Sequence, residues 1–215
     1  MPDGELTAGT VAVAADETGR YTRFMISMQG LVCPPGTRVL WQLGSDVAGS
    51  RNRCAAAFEG DWLWFIDDDH LFNPDLLGRL LAHDVDIVAP LVLRRVKPFA
   101  TVATLNDEIM SLEGMPQAGL VEVEATGSAG MLIRRRVFEQ VEDPWFELGN
   151  GVSEDVMFCR KARDAGFKVH LDLGATMGHA TTCSVWPVFR DGRWLTGLLA
   201  ADGFEVVADI TVTAP

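Results

Sequence analysis

The chain has 215 residues and a formal net charge of −12, because 30 Asp and Glu residues outnumber 18 Lys and Arg residues. Hydrophobic residues make up 48% of it and charged residues 22%, the composition of a globular protein long enough to form one domain. The acidic balance argues against duplex nucleic acid as a partner, since proteins that follow phosphate backbones usually carry a basic excess.

Cysteine usage and apolar run lengths indicate the compartment. The four cysteines form no CxxC pair, which favours buried thiols in a reducing compartment over a zinc ribbon or a disulfide framework. No apolar run approaches the roughly 20 residues of a membrane-spanning helix, and no basic stretch followed by an apolar one marks the N-terminus. We therefore expect a cytoplasmic protein without a membrane span.

The first 90 residues alternate short apolar runs with stretches of helical character. Residues 11–15 and 38–43 predict strands, and residues 47–58 predict a helix. The run Trp62-Leu63-Trp64-Phe65-Ile66 is apolar on both faces, as a central parallel strand covered by helices on both sides must be. This rhythm predicts an α/β nucleotide-binding architecture, in which ligands lie at the carboxyl ends of the strands.

Helix and strand signals continue beyond that central strand. Asn73 and Pro74 predict a helix start, four leucines at positions 76, 77, 80 and 81 form its apolar stripe, and residues 85–90 predict the next strand. Residues 91–116 are irregular and are consistent with either a loop over the site or an edge hairpin.

The last part of the chain mixes short elements with hairpin signals. Gly127–Ile133 predicts a small-residue turn leading into a strand, and residues 135–141 predict a short helix. Ser153 can cap a helix that ends at Gly166, and Phe167–Leu171 predicts a strand after it. The pairs Asp191-Gly192 and Asp202-Gly203 predict a small antiparallel appendage.

Three consecutive aspartates, Asp67, Asp68 and Asp69, follow the central strand. Like charges this close together need a compensating cation or hydrogen-bond donors. In an extended segment Asp67 and Asp69 point the same way, and such oxygen ligands suit Mg²⁺ or Mn²⁺ that carries a substrate diphosphate. The alternative is that these acids only end the strand and cap the turn.

These residues and several later motifs resemble the GT-A fold glycosyltransferases, above all glycosyltransferase family 2. The aspartate triplet resembles the DxD strand of those enzymes, Ser50-Arg51-Asn52 the helix start beside the nucleotide, Gly127–Leu132 the segment at the acceptor side, and Ser153–Val156 the "ED" helix. The resemblance covers about residues 10 to 180. It implies a mostly parallel central sheet flanked by helices.

The resemblance also implies a metal centre. Asp67 would contact the ribose or the metal, Asp69 would bind the metal, and His179 would complete the protein ligands. His70 is a competing ligand, because Asp68-Asp69-His70 also satisfies the D-x-H form of some relatives. The choice between the two histidines is open at this point.

Further roles follow from the same resemblance. Asp155 becomes the candidate general base, with Glu154 beside it, if the enzyme inverts the configuration of the sugar. Arg51, Asn52 and Arg94 are candidate contacts of the nucleotide and its diphosphate, with Asp68 in the same group. Acids in the first turn of a helix and arginines on its surface also occur without any catalytic role.

Two acids are candidates for contact with the base of the nucleotide, and the whole chain is predicted to form one domain. Asp46, or Asp16 after the first strand, are loose matches to the acid that reads uracil in many members of the family. We expect a single domain over residues 1–215, with a nucleotide-binding half at about 9–90, an acceptor half at 91–180 and the β appendage at 181–215. A homo-oligomer is compatible with these features.

The function predicted from these features is the metal-dependent transfer of one sugar from a nucleotide diphosphate sugar to a hydroxyl of a soluble acceptor. One rival is a sugar nucleotidyltransferase, although residues 14–20 lack the glycine-rich basic loop of that class. A second is a calcium-binding or lectin-like module. A third is a catalytically inactive transferase fold that binds a partner.

Overall fold

The computed structural model describes residues 7–15, 21–44, 46–95, 99–149, 151–200 and 205–208. The helices are α1 (Thr22–Gly30), α2 (Val47–Ala57), α3 (Leu76–Leu81), α4 (Arg135–Gln140) and α5 (Glu154–Asp164). The strands are β1 (Thr10–Ala15), β2 (Arg38–Leu43), β3 (Trp62–Asp67), β4 (His70–Leu71), β5 (Ile87–Val92), β6 (Thr104–Leu105), β7 (Glu108–Ile109), β8 (Leu120–Val123), β9 (Leu132–Arg134), β10 (Val169–His179), β11 (Cys183–Arg190), β12 (Arg193–Ala200) and β13 (Glu205–Ala208).

A central eight-stranded sheet organises the fold, in the order β2-β1-β3-β9-β5-β10-β4, with β8 also paired to β10. Strand β1 is parallel to β2 and β3, and β5 is parallel to β10. Strand β9 runs antiparallel to both β3 and β5, so the two parallel groups point in the same direction. The mostly parallel sheet predicted from the apolar runs is therefore confirmed.

Strand β3 lies at the centre and is buried on both faces, as its sequence predicts. Leu63 and Phe65 pack into the cluster that also holds the inner faces of α2 and α5. Trp62, Trp64 and Ile66 pack into the opposite cluster, which holds the leucine stripe of α3. Helices cover both faces, and the acids that follow Ile66 emerge at the carboxyl edge of the sheet.

Several predicted boundaries are shifted in the structure. Helix α3 begins at Leu76 rather than at Asn73, because Asn73 and Pro74 belong to a turn in which the Leu76 amide donates to the Asn73 carbonyl at 3.2 Å. The strand predicted over Phe167–Leu171 continues as β10 as far as His179.

Strand β10 contains an irregularity that bears on the site. Asp172 pairs with Pro90 of β5 and Thr176 pairs with Leu91, so residues 173–175 have no partner on β5. The Asp172 carboxylate accepts hydrogen bonds from the Gly174 amide at 2.9 Å and from Arg79 Nε at 2.8 Å. The bulge is thereby fixed to helix α3.

The segment from 91 to 116 contains the short hairpin of β6 and β7, whose turn residues Asn106 and Asp107 have positive φ angles. At the C-terminal end, β11, β12 and β13 form a three-stranded antiparallel sheet. The turn at Asp191-Gly192 is where the sequence predicts it. The second predicted turn, Asp202-Gly203, lies outside the described residues. Among the described residues, no helix is long and apolar enough to span a bilayer.

Candidate active site

Three potential ligands of a cation meet at the carboxyl edge of the sheet. Asp69 follows β3, His70 begins β4, and His179 ends β10. The antiparallel pairing of β4 with β10 places His70 directly opposite His179, and their rings stack with centroids 4.6 Å apart. One ligand atom from each of the three residues lies within 4.8 Å of the others. Both histidines that the sequence left as alternatives thus lie at the same carboxylate.

The Asp69 carboxylate is the centre of this group. Its Oδ2 atom lies 3.2 Å from His179 Nε2 and accepts a hydrogen bond from Arg95 Nη1 at 2.8 Å. Its Oδ1 atom lies 3.0 Å from His70 Nδ1. Burial alone raises the pKa of Asp69, but the hydrogen bond from His179 and the adjacent His70 ring outweigh it and hold that pKa well below its usual range. Asp69 is therefore ionised at neutral pH.

The two histidines have different surroundings. His70 is 2% exposed; its Nδ1 atom lies 3.0 Å from Asp69 Oδ1, and its Nε2 atom makes no hydrogen bond with a residue that the structure describes. Buried ring nitrogens without partners are costly unless they receive a ligand. In His179 the Nδ1 atom lies 3.2 Å from the Leu93 carbonyl, which fixes a proton there and directs Nε2 toward Asp69. The hydrogen bond with Asp69 raises the pKa of His179.

These features fit a divalent cation. The group offers a carboxylate oxygen and two imidazole nitrogens, the buried Nε2 atom of His70 has no hydrogen-bond partner among the described residues, and a backbone carbonyl already orients the His179 ring. Mixed nitrogen and oxygen ligands suit Mn²⁺ and related ions. The residues present are therefore compatible with the metal that the sequence predicts.

Asp67 belongs to a different network. Its carboxylate accepts from Arg51 Nη2 at 3.2 and 3.4 Å, and Arg51 Nη1 donates to the buried Glu154. This chain of charges connects the end of β3 with α2 and the start of α5. Asp67 is outside the cation group, so its predicted metal contact finds no support here. Glu154 faces the interior of the fold, where it holds Arg51 in place.

Asn52 also differs from its predicted role. Its Nδ2 atom donates to the Phe146 carbonyl at 2.6 Å, and its Oδ1 atom accepts from the Phe146 amide at 3.0 Å. Both ends of the amide side chain therefore hold the loop that precedes α5. These contacts make Asn52 a positioning residue for that loop. They do not support its predicted role as a ligand of the nucleotide.

Asp155 lies next to the small-residue loop at the edge of β3. A Cβ atom on Gly127 would lie 3.7 Å from Asp155 Oδ2, and Ser153 Oγ donates to the other carboxylate oxygen. Gly130 fixes this loop: its amide donates to the Phe65 carbonyl at 2.7 Å, and a Cβ there would come within 2.6 Å of Pro90. Asp155 thus faces the loop that runs beside the strand of the aspartates.

The remaining predicted residues lie outside the cation group or outside the described residues. Asp68 is half-buried in the turn between β3 and β4. Arg94 is exposed, and its guanidinium forms no ion pair within the described ranges, whereas its neighbour Arg95 reaches Asp69. Asp46 accepts from the Gly49 amide at 3.0 Å as the N-cap of α2, and Asp16 lies outside the described residues. The prediction named Arg94. No local pattern in the sequence distinguishes it from the adjacent Arg95.

A cavity of about 420 Å³ lies beside Leu93, the residue whose carbonyl contacts His179. Its walls are mainly apolar and come from the hairpin segment, including Phe99, Ile109 and Leu112. The irregular segment predicted over 91–116 therefore lines an open cavity that shares Leu93 with the surroundings of His179.

Comparisons with known proteins show the family and the fold of the chain. The family model described as "Glycosyltransferase like family 2" matches residues 10–197. The structure of A197 from STIV aligns with a TM-score of 0.53 and 15% identity over 95% of this chain and 97% of that chain. The structure of GalNAc-T7 with UDP, GalNAc and Mn²⁺ aligns with a TM-score of 0.61 and 12% identity over 82% of this chain and 44% of that chain.

A third structure, the inositol-1-phosphate CTP transferase from T. maritima, aligns with a TM-score of 0.46 and 14% identity over 80% of this chain and 69% of that chain. No curated protein sequence matches the chain. The likeness to GalNAc-T7 confirms the predicted GT-A fold. Since the family model spans most of the sequence, the chain belongs to the glycosyltransferase-like family 2.

Proposed function

We propose that this protein transfers a single sugar from a nucleotide diphosphate sugar to a hydroxyl group of an acceptor, with Mn²⁺ or Mg²⁺ bound by Asp69, His70 and His179. The observation that carries the proposal is the convergence of these three residues at the carboxyl edge of β3, in a member of the glycosyltransferase-like family 2. The structural relative GalNAc-T7, crystallised with UDP, GalNAc and Mn²⁺, supports the same ligand classes.

The cation supplies positive charge that stabilises the departing diphosphate. The protein's part is to hold the ligands in place. The Leu93 carbonyl orients the His179 ring, and the pairing of β4 with β10 keeps His70 opposite it. Such fixed donors lower the cost of reorganisation during the reaction.

Asp67 and Asp155 have separate roles in this proposal. The Arg51 guanidinium holds the Asp67 carboxylate, which can accept hydrogen bonds from the ribose. Asp155 removes the proton from the acceptor hydroxyl as that oxygen attacks the anomeric carbon, the carbon–oxygen bond to the diphosphate breaks, and the configuration inverts. Glu154 and Asn52 act through their neighbours, since one holds Arg51 and the other holds the loop before α5.

We place this activity in the cytoplasm. Cys33, Cys54 and Cys159 are free thiols, which supports a reducing compartment.

Thermal shift and calorimetry with UDP-, GDP-, ADP- and CMP-linked sugars test the proposal, each with Mn²⁺, Mg²⁺ or EDTA. We expect one nucleotide sugar to raise the melting temperature only when metal is present, because a ligand that binds the native state stabilises it. Asp69→Asn abolishes the shift. Asp61→Asn, an exposed acid at the opposite end of β3, retains it.

Two results would overturn the proposal. No stabilisation by any donor would favour the inactive binding module, and equal stabilisation in EDTA would remove the metal from the mechanism.

A further inference from the structure

Arg95 contacts the carboxylate at the centre of the candidate cation site. Its Nη1 atom donates to Asp69 Oδ2 at 2.8 Å, and the same oxygen lies 3.2 Å from His179 Nε2. Two residues before it, the Leu93 carbonyl contacts the other nitrogen of the His179 ring. Arg95 therefore reaches the cation group from the segment that also orients one of its ligands.

This contact competes with a bound cation. A divalent ion ligated by Asp69 and His179 would lie about 2.0–2.2 Å from each ligand atom. A guanidinium hydrogen-bonded to the same carboxylate oxygen would bring its positive charge within about 4 Å of that ion, where like charges repel strongly. The hydrogen bond from Arg95 to Asp69 and the binding of a cation by Asp69 therefore weaken each other.

The Arg95 side chain can also move away from the Asp69 carboxylate. Its side chain is 47% exposed, so it can rotate into solvent without disturbing the core, whereas the Asp69 side chain is only 16% exposed. A planar guanidinium is well matched to phosphate oxygens, which it can bind through two parallel hydrogen bonds.

We propose that Arg95 is an exchangeable counter-ion of the cation site. It neutralises Asp69 in the metal-free protein, leaves that carboxylate when the cation binds, and then binds the diphosphate that accompanies the cation. The exchange at Asp69 depends only on a cation site, and the last step rests on the proposed function.

Arg94 provides a matched control. It is the adjacent residue and carries the same charge, but its guanidinium forms no ion pair with any residue the structure describes, and its backbone amide donates to the Ala100 carbonyl. Arg94→Gln and Arg95→Gln change the net charge equally, so a difference between them reports the specific contact with Asp69.

The first experiment measures Mn²⁺ binding alone, by electron paramagnetic resonance of the free ion. We expect Arg95→Gln to bind Mn²⁺ about three- to fivefold more tightly than the wild type, because a competing partner of Asp69 has been removed. Arg94→Gln changes the affinity much less. If the two variants bind Mn²⁺ equally well, the exchange at Asp69 is wrong while the proposed function stands.

The second experiment measures the binding of inorganic pyrophosphate at saturating Mn²⁺ by calorimetry. We expect Arg95→Gln to weaken it about tenfold and Arg95→Lys to weaken it less, whereas Arg163→Gln, which removes an exposed arginine near the C-terminal end of α5, leaves it near the wild-type value. Unchanged pyrophosphate binding in Arg95→Gln would overturn the last step. Failure of the wild type and both variants to bind Mn²⁺ would overturn the exchange together with the metal site of the proposed function.

Discussion

His70 and His179 face each other across the antiparallel pair of β4 and β10, with ring planes 24° apart. Because the two residues occupy one register position, a shift of either strand by one residue would separate the rings and turn one of them to the opposite face. The candidate metal centre therefore depends on strand register as much as on the ligands themselves.

Removing either histidine should weaken metal binding. We expect His70→Gln and His179→Gln each to lower the affinity for Mn²⁺ at least about tenfold, since each removes one imidazole ligand. His170→Asn, on the same strand but away from the cluster, serves as the control for the loss of a histidine. Wild-type Mn²⁺ affinity in His70→Gln would assign the site to Asp69 and His179 alone.

Glu154→Ala should destabilise the protein. The substitution leaves the guanidinium of Arg51, whose side chain is 5% exposed, without its buried partner, and such losses cost about 3 kcal/mol. Urea denaturation measures the change in the free energy of unfolding.

The double variant Arg51→Met, Glu154→Leu should recover most of that stability, because neither charge remains buried and Asp67 keeps partial access to solvent. It should not recover transferase activity, since the Asp67 carboxylate loses the guanidinium that positions it. Recovery of both properties would show that this network only stabilises the fold.

Asp155→Asn should separate catalysis from binding. Loss of a general base lowers turnover about 10²- to 10⁴-fold, while the binding of Mn²⁺ and of the donor stays close to wild type. Asp164→Asn, at the other end of α5, is the matched control. An equal loss in donor affinity would instead give Asp155 a role in holding the sugar.

The stability of the fold should fall at low pH through Asp172. Burial raises the pKa of this carboxyl, but hydrogen bonds from Arg79, His83 and the Gly174 amide outweigh it and bring the pKa to about 2. Because the folded pKa lies below the ordinary aspartate pKa of 3.8, the stabilisation is complete above about pH 4 and is lost as the pH falls through 2.

We expect the free energy of unfolding to fall by about 2 kcal/mol over this range of pH, because the pKa of Asp172 is roughly 1.8 units lower in the folded than in the unfolded chain. Denaturation between pH 5 and pH 2 measures it, and Asp172→Asn should show a shallower dependence on pH over that interval. Asp164→Asn should keep the wild-type slope. A wild-type slope in Asp172→Asn would assign the acid sensitivity to other carboxyls.

The central strand and its acids could be predicted because their signals are local. A run that is apolar at every position, as in Trp62–Ile66, fixes both the strand and its place between two helical layers. The acids that follow this strand must therefore lie at the carboxyl edge of the sheet. The prediction of Asp69 at this edge rests on that local signal, whereas the prediction of His179 rests on the family resemblance.

The contacts across long sequence separations could not be predicted. The pairing of β4 with β10 involves only two residues of β4, too short a segment to carry a strand signal. The commitment of Asn52 to Phe146 and of Glu154 to Arg51 depends on how α2 and α5 pack, which no local pattern encodes. The same holds for the contact of Arg95 with Asp69.

Residues 173–175 of β10, which have no partner on β5, determine how far the strand reaches. They shift the strand relative to β5, so that the end carrying His179 comes level with the residues just after β5. Deleting one of them without other adjustment would draw His179 back by about 3.3 Å along the strand and reverse the side toward which its ring points. The number of residues in this segment therefore determines where His179 lies relative to Asp69.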